Sequence, residues 1–475
     1  MSGLKLNIAI VCAVLLATHS SAAPAVSSAL VASSAIPSAS FFPAPASSVA
    51  VSASNPALSP SSAPLSSSLV PASSAAASVD SSSAKASSIA SAAPASETVP
   101  YASDDPNEVM WGPDYDGDPQ PIRGALGSTV MGPQDAAIDI QNPDLFAPPT
   151  TDAGTVGNAK WPFSLSHNRL QTGGWARQQN VAVLPMATEL AGVDMRLEAG
   201  AIRELHWHKT SEDAGDLWFF PAGTPHSLQA TDADPDGAEF LLVFDDGSFS
   251  EDSTFLLTDW LAHVPKEVLA RNFQTDISAF NDIPGQQLYI FPGSAPGPDS
   301  DVPTSPQGSV PSPFTFKMSQ MKATQLSGGS VKVVDSRTFP ISTTTAAAEV
   351  TVQPGAMREL HWHPTQDEWS FFLEGNARVT LFAAQGAART YNFQAGDVGY
   401  VPGTYGHYVE NIGNTTLRFL EIFKTDTFQD VSLSQWLALT PPAMVQATLN
   451  LNDEAMSHLS KIKQTVVGPA SGSSK

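Results

Sequence analysis

From Gly173 onward, short runs of branched and aromatic residues alternate with Gly, Pro and Asn turns. Val181-Ala-Val-Leu184, Phe240-Leu-Leu-Val-Phe244, Ala348-Glu-Val-Thr-Val352 and Arg378-Val-Thr-Leu-Phe382 each have the length and composition of a strand, and together they predict an all-β architecture. Helical signals are few: Trp260-Leu-Ala and Trp436-Leu-Ala recur in matching style, each followed by a predicted helix, over 265–273 and 441–450. Upstream the pattern disappears. Residues 24–100 are almost entirely Ser, Ala, Pro and Val and lack the large apolar side chains needed to offset ordering entropy, so this stretch reads as a disordered stalk. It fits an O-glycosylated stalk or an inert spacer equally. Residues 101–170, with scattered Pro, Gly and Asp, read as an extended arm leading into the first domain.

One segment appears twice. Arg-Glu-Leu-His-Trp-His occupies 203–208 and again 358–363, so the paired histidines recur 155 residues apart. That period is far longer than a solenoid repeat and predicts two tandem copies of one domain. We place them at 171–292 and 314–460, joined by a Pro-rich linker over 293–313 and followed by a flexible tail over 461–475.

Each copy sets two imidazoles one residue apart, which on a strand face the same way. A carboxylate follows, Glu212 or Glu368, and a third imidazole lies further on, His226 or His407. Six of the ten histidines fall in these two groups, which makes chance placement a poor explanation. Three neutral nitrogens and one carboxylate suit several first-row divalent metals and leave room for a substrate.

Composition narrows the partners. Residues 1–23 have the form of a secretory signal peptide: Lys5, an apolar run from Ile8 to Ala17, and Ser21-Ala22-Ala23 at the cleavage region. That run is too short to span a bilayer, and no later segment does better. The mature chain is expected to be secreted, in the medium or at the cell wall, with no membrane contact after signal removal. The sole cysteine, Cys12, lies inside the signal, so neither disulfides nor thiolate ligands are expected. Net charge is −23, and becomes −24 without Lys5, which excludes nucleic acid as a partner and obliges any site for an anion to carry its own cation.

The second copy runs Gly355-x5-His361-x-His363-x4-Glu368-x6-Gly375, then Gly396-x5-Pro402 and His407. The first runs Gly200-x5-His206-x-His208-x3-Glu212, then Gly215-x5-Pro221-x-Gly223-x2-His226. These match the two signature motifs of the cupin superfamily, and the twin arrangement resembles the bicupin oxalate decarboxylases over roughly residues 105–460. The resemblance implies two tandem cupin barrels (double-stranded β-helix, or jelly-roll), up to two Mn²⁺ per chain on the three histidines and the glutamate, oxalate as substrate, and dioxygen as co-catalyst. It implies a carboxy-lyase that releases formate and CO₂. Oxalate oxidation to CO₂ and peroxide is the alternative chemistry, and a non-catalytic metal-binding storage bicupin the alternative class. Cupins often assemble as homo-oligomers.

Four residues are expected to act on the substrate. Arg203 and Arg358 stand three residues before the first ligand, an odd spacing that points them to the other strand face unless Glu-Leu bends the chain. The resemblance brings them to the site as the cation that grips a carboxylate; a surface ion pair with Glu204 or Glu359 is the competing reading. Glu251, in Ser250-Glu-Asp-Ser-Thr254, resembles the lid glutamate of these enzymes, with Asp252 where their lid carries Asn. Here the second acid either raises the Glu251 pKa by repulsion or disturbs lid closure. Glu421 falls in a predicted barrel strand and resembles the acid beside the second metal.

The copies differ in one place. From Glu368 to Gly396 the second spans 28 residues, whereas Glu212 to Gly215 spans 3. The first copy keeps its ligand candidates but lacks about a hairpin's worth of barrel, which exposes edges. Either this site is degenerate or the reading frame has lost an exon, and the retained lid, arginine and ligands favour the lost exon.

Overall fold

The computed structural model describes residues 132–469, apart from 134, 136–137, 140–141, 147, 209–211, 214–215, 299–302 and 309. The expected signal peptide, the stalk and the arm as far as residue 131 lie outside the described residues.

The repeat is an all-β repeat. In the second half, Thr324–Leu326, Gly329–Val334, Ala346–Val352, Leu417–Phe423, Glu368–Glu374 and Asp397–Val401 lie side by side in one sheet. Ala388–Gln394, Asn376–Phe382, His407–Asn411, Met357–Trp362 and Val431–Ser432 form the facing sheet. Strand alternation fills the space between them: Ala377, Val379 and Leu381 turn inward from Asn376–Phe382 and pack with Tyr391, Phe393, Phe372 and Phe419. The first half repeats the scheme with Arg169–Gln171, Gly174–Gln179, Ala191–Leu197, Ala238–Phe244, Glu212–Asp213 and Phe219–Phe220 in one sheet. Opposite lies Ile202–Trp207, flanked by Phe255–Leu256, Ile290–Phe291 and His226–Gln229. The two predicted helices are present, as Lys266–Phe273 and Pro442–Leu449.

The missing hairpin is real in the fold. Asn376–Phe382 and Ala388–Gln394 pair with each other around a turn at Gly386, and Asn376–Phe382 also pairs with His407–Asn411. Nothing corresponds to them in the first half, where His226–Gln229 pairs with Ile202–Trp207 alone among the described residues. The wall is closed differently. Matching registers set Phe220 in the place of Val401, hence Trp218 in that of Gly399. A Cβ at Gly399 would come within 3.3 Å of the Phe393 ring. In the first half, where no such ring exists, Trp218 itself fills the space.

Three expectations need correction. Val181–Leu184 is a turn, because the Asn180 side chain accepts the Ala182 N–H at 3.0 Å and its carbonyl accepts those of Val183 and Leu184. Leu184 is buried in the junction between the halves, so its apolar character marks a contact and not a strand. The tail is not wholly free either: Val466–Val467 pairs with Met357 and Arg358, and Val466 is buried. Finally, the arm does not simply lead into the first domain. Lys160–Pro162 pairs with Asp397–Val401 of the second barrel, and the Lys160 ammonium meets Asp397 at 3.1 Å. The segment 314–316, ahead of the second barrel, reciprocally bonds to residues 217–219 of the first. Each barrel thus borrows an edge segment from the chain that precedes the other.

The halves meet through an apolar junction that includes Leu190, Phe219, Val243, Trp369, Val398 and Ile422. Gly192 lies so close to the Trp369 ring that a Cβ there would stand 2.4 Å from it, so no larger residue fits. The indole N–H of Trp369 donates to Gln179 at 2.7 Å.

Candidate metal centres

Odd spacing from arginine to histidine is resolved by a bulge. In both halves the pairing register shifts between the arginine and the first histidine, between Arg203 and His206 and between Arg358 and His361. The bulge brings Arg203 and His206 inward together, and likewise Arg358 and His361, all four buried, while Leu205 and Leu360 are turned out. The residue after each arginine is buried too. Glu204 accepts Thr258 N–H and O–H at the start of the helix Leu257–Ala262, and the backbone N–H groups of Leu288 and Tyr289. Glu359 accepts Ser432 O–H at 2.7 Å and Thr465 N–H at 2.9 Å. The competing reading, a surface ion pair between each arginine and its neighbour, is thereby overturned: these glutamates anchor the motif to the rest of the barrel.

In the second half, His361, His363, Glu368 and His407 are all buried, and their ligand atoms lie within 4.8 Å of one another. Four atoms so placed can share one ion at about 2.0–2.3 Å. The ring nitrogens are sorted for the purpose. Nδ1 of His361 faces Glu359 carbonyl at 2.6 Å, that of His363 the Gln429 carbonyl at 2.9 Å, and that of His407 the Tyr405 carbonyl at 3.0 Å. A proton on each Nδ1 leaves the Nε2 lone pair for a metal. His361 Nε2 is buried without a protein partner, which a bound cation would supply. Burial and the neighbouring Arg358 hold the His361 pKa well below its usual value, so the ring is neutral. Burial alone would raise the Glu368 pKa, but the imidazoles of His363 and His407, whose Nε2 atoms lie 3.0 and 3.2 Å from its carboxylate, hold it well down. The donor set fits a hard or borderline divalent ion.

The first half brings His206, His208 and His226 together within the same limit. Nδ1 of His206 faces the Glu204 carbonyl at 2.5 Å and that of His226 the Thr224 carbonyl at 2.9 Å. Burial, then Arg203, hold His206 well below its usual pKa. Glu212 lies in a strand whose register, opposite Phe220 and Phe244, matches that of Glu368 opposite Val401 and Phe423. Its side chain lies outside the described part of the structure.

The acids take different surroundings. Glu421 is 1% exposed and stands 3.5 Å from the Arg358 guanidinium. Burial, and then the charge of Glu368, push its carboxyl up to about 7 against the pull of Arg358. Glu251 opens a short 3-10 turn, Glu251–Ser253, capped by Ser250. Its carboxylate accepts the Tyr289 hydroxyl, and Arg203 lies over the same ring, 3.9 Å from its centre. Asp252 is turned outward to Arg169 at 3.4 Å. Three participants were not singled out in the sequence. Tyr289 carried no signal. Asp430 and Lys463 form an ion pair with each other, and Asp430 also binds Arg358 at 2.6 Å.

The Cupin family model matches residues 212–279 and 317–457. Oxalate decarboxylase OxdC of Bacillus subtilis is 52% identical over 375 residues, covering 74% of this chain and 97% of that protein. A probable oxalate decarboxylase of Arthroderma benhamiae is 40% identical over 381 residues, covering 73% and 93%. A solved structure of the Bacillus subtilis enzyme at pH 4.6 superposes with a TM-score of 0.72, covering 74% of this chain and 98% of that one. Another, concerned with that enzyme's Mn(II) centres, gives 0.71 at 52% identity, covering 74% and 99%. With two barrels, a buried histidine cluster in each, and these relatives, the chain belongs to the oxalate decarboxylase family of two-barrel cupins.

Proposed function

We propose that this protein splits oxalate into formate and CO₂ with Mn²⁺ held by its histidine clusters. The reading rests on one observation above others: each half sets a buried arginine and a protonatable acid beside a buried group of metal-ligating side chains. The relatives' names, and the Mn(II) centres of the Bacillus subtilis enzyme, support the substrate and the metal. His361, His363, Glu368 and His407 would hold one ion, and His206, His208, His226 and Glu212 the other. When bound, manganese supplies Lewis acidity and a one-electron couple.

The reaction needs no net oxidant: oxalate dianion plus one proton gives formate and CO₂. What the chain must provide is a grip on two negative charges, exclusion of water and one proton. Arg203 and Arg358 offer the grip, since a guanidinium can bind a carboxylate through two parallel hydrogen bonds. The first cavity is lined by Val193, Met195, Leu242, Phe244 and Phe249 around Arg203 and Glu251, an apolar enclosure in which charge interactions strengthen. Glu251, on the lid side of that cavity, would deliver the proton. Glu421, its carboxyl raised to about 7, is a second acid able to hold a proton near neutrality.

Incubating the manganese-loaded protein with oxalate and measuring formate, peroxide and metal per chain tests the proposal. Formate without stoichiometric peroxide is expected; peroxide in place of formate would make it an oxidase, and neither product a binding protein. The apolar run Ile8 to Ala17 ahead of Ser21-Ala22-Ala23 supports export, which N-terminal sequencing of protein from culture medium would check. Exposed Trp260, Trp436, Leu439 and Met444 on and around the closing helices support self-association, measurable by sedimentation.

A further inference from the structure

We infer that Ser370 is the positioning residue of the second metal centre: its hydroxyl holds one oxygen of Glu368, so that this carboxylate offers a metal the other oxygen alone. The inference rests on the reading that the second cluster binds manganese, and it adds a residue outside the ligand set.

Strand alternation sets the arrangement. Along Glu368–Glu374, the side chains of Glu368, Ser370 and Phe372 line a cavity inside the second barrel, whereas Trp369 and Phe371 turn to the junction with the first half. Ser370 lies opposite Glu421 on one neighbouring strand and Gly399 on the other. It is buried, and the wall around it is largely apolar, with Phe372, Val379, Leu381, Phe393 and Val401 on the same cavity. A hydroxyl in such surroundings is unfavourable unless it is hydrogen-bonded. Its partner is Glu368, whose Oε1 accepts the Ser370 O–H at 2.5 Å.

The two oxygens of Glu368 thereby take separate roles. Oε2 lies 3.0 Å from His363 Nε2 and 3.2 Å from His407 Nε2, among the converging ligand atoms. Oε1 is held by the serine. A carboxylate free to rotate about its last bond can offer a metal one oxygen or two; a short hydrogen bond to one of them removes that freedom before any metal arrives. The hydroxyl is an addition to the repeated motif and not a part of it. Two residues beyond Glu212 the first half has Ala214, which has no hydroxyl to give.

Manganese affinity tests this, measured by competition with a chelator in the full-length His206→Ala protein, so that the second cluster is read alone. Ser370→Val and Ser370→Thr have near-equal volume and differ in the hydroxyl, and Ser370→Ala removes the hydroxyl without adding bulk. Outer partners of metal ligands contribute about 10–100-fold in affinity, so S370V and S370A should each bind manganese at least about tenfold more weakly. S370T should keep the parent affinity, and the metal-free proteins should melt together. Unchanged affinity in S370A or S370V overturns the inference; so does a loss in S370T as large as in S370V, because bulk would then be the cause. A lower metal-free melting temperature with unchanged affinity would reduce Ser370 to a packing residue. If S370A does not fold, the valine and threonine pair still decides. Failure of the parent His206→Ala protein to bind manganese would refute the metal reading itself, and the inference with it, before any Ser370 variant is compared.

Discussion

The side-chain oxygen of Gln178 accepts the backbone N–H of Glu251 at 3.0 Å. It thus holds the first residue of the lid turn from the barrel strand Gly174–Gln179, while the next-but-one residue, Asn180, donates to the Phe249 carbonyl at 2.9 Å. One such bond contributes about 1 kcal/mol, so Gln178→Ala should reduce the closed-lid population and with it formate output by roughly fivefold. Steady-state kinetics should show the loss in kcat more than in KM, with melting temperature little changed. A loss confined to KM would mean that Gln178 serves binding and not closure.

Glu251→Gln keeps the hydrogen-bonding shape of the lid but removes its acid. General acid–base contributions are of the order of 10²–10⁴, so formate production should fall by at least about 100-fold at unchanged metal content. Retained formate production would assign the proton to another group.

Asp194 is a case of stability working against pH. It is 7% exposed, and burial, followed by the charge of Glu239, raises its carboxyl to about 8 despite Arg177 at 3.7 Å. A folded-state pKa above the unfolded value near 3.9 means that the fold binds the extra proton. The associated stability is complete below about pH 4 and is lost as pH rises toward 8. Asp194→Asn should therefore raise the melting temperature at pH 8, by an amount corresponding to about 1–3 kcal/mol, and leave it unchanged at pH 3. A gain at pH 3 equal to that at pH 8 would rule out the proton as the cause.

Metal should be worth stability as well as chemistry, because Glu368 and three histidines are buried around a common point. At a hundredfold excess over its dissociation constant an ion adds about 2.7 kcal/mol. Chelation should lower the melting temperature accordingly, and His361→Ala should lose one metal per chain and about half of that response.

The absent hairpin leaves a measurable trace. His407–Asn411 has strand neighbours on both sides, whereas His226–Gln229 has one among the described residues. Amides of residues 226–230 should exchange with deuterium faster than those of 407–411 by at least about tenfold. Equal protection would show that other chain seals that edge.

Much of this was legible beforehand for a physical reason. Metal ligation constrains residue type and spacing so tightly that a duplicated Arg-Glu-Leu-His-Trp-His could be assigned on sight, and the deficit after Glu212 counted directly. The bulge that turns Arg203 and Arg358 inward could be stated only as a condition, since backbone irregularity leaves no side-chain signature. Glu204 and Glu359 lie inside the repeat, but their anchoring bonds reach Thr258, Leu288, Ser432 and Thr465, remote residues that no local pattern links to them. Asp430 and Lys463, 72 and 105 residues beyond Arg358, were out of reach, because pairing between remote charges follows from the closed barrel and not from local pattern. Val181–Leu184 misled for the opposite reason: its branched residues serve a junction that no single-domain pattern encodes.

The reciprocal exchange of edge segments bears on how the molecule is made. A ribosome releases Lys160–Pro162 long before its pairing strand at Asp397–Val401 exists, and completes the first barrel's sheet only once residues 314–316 emerge. Neither half is finished when its own stretch of chain has been synthesised, so a half-length fragment cut at the Pro-rich linker would carry an unmatched strand edge and be prone to aggregate.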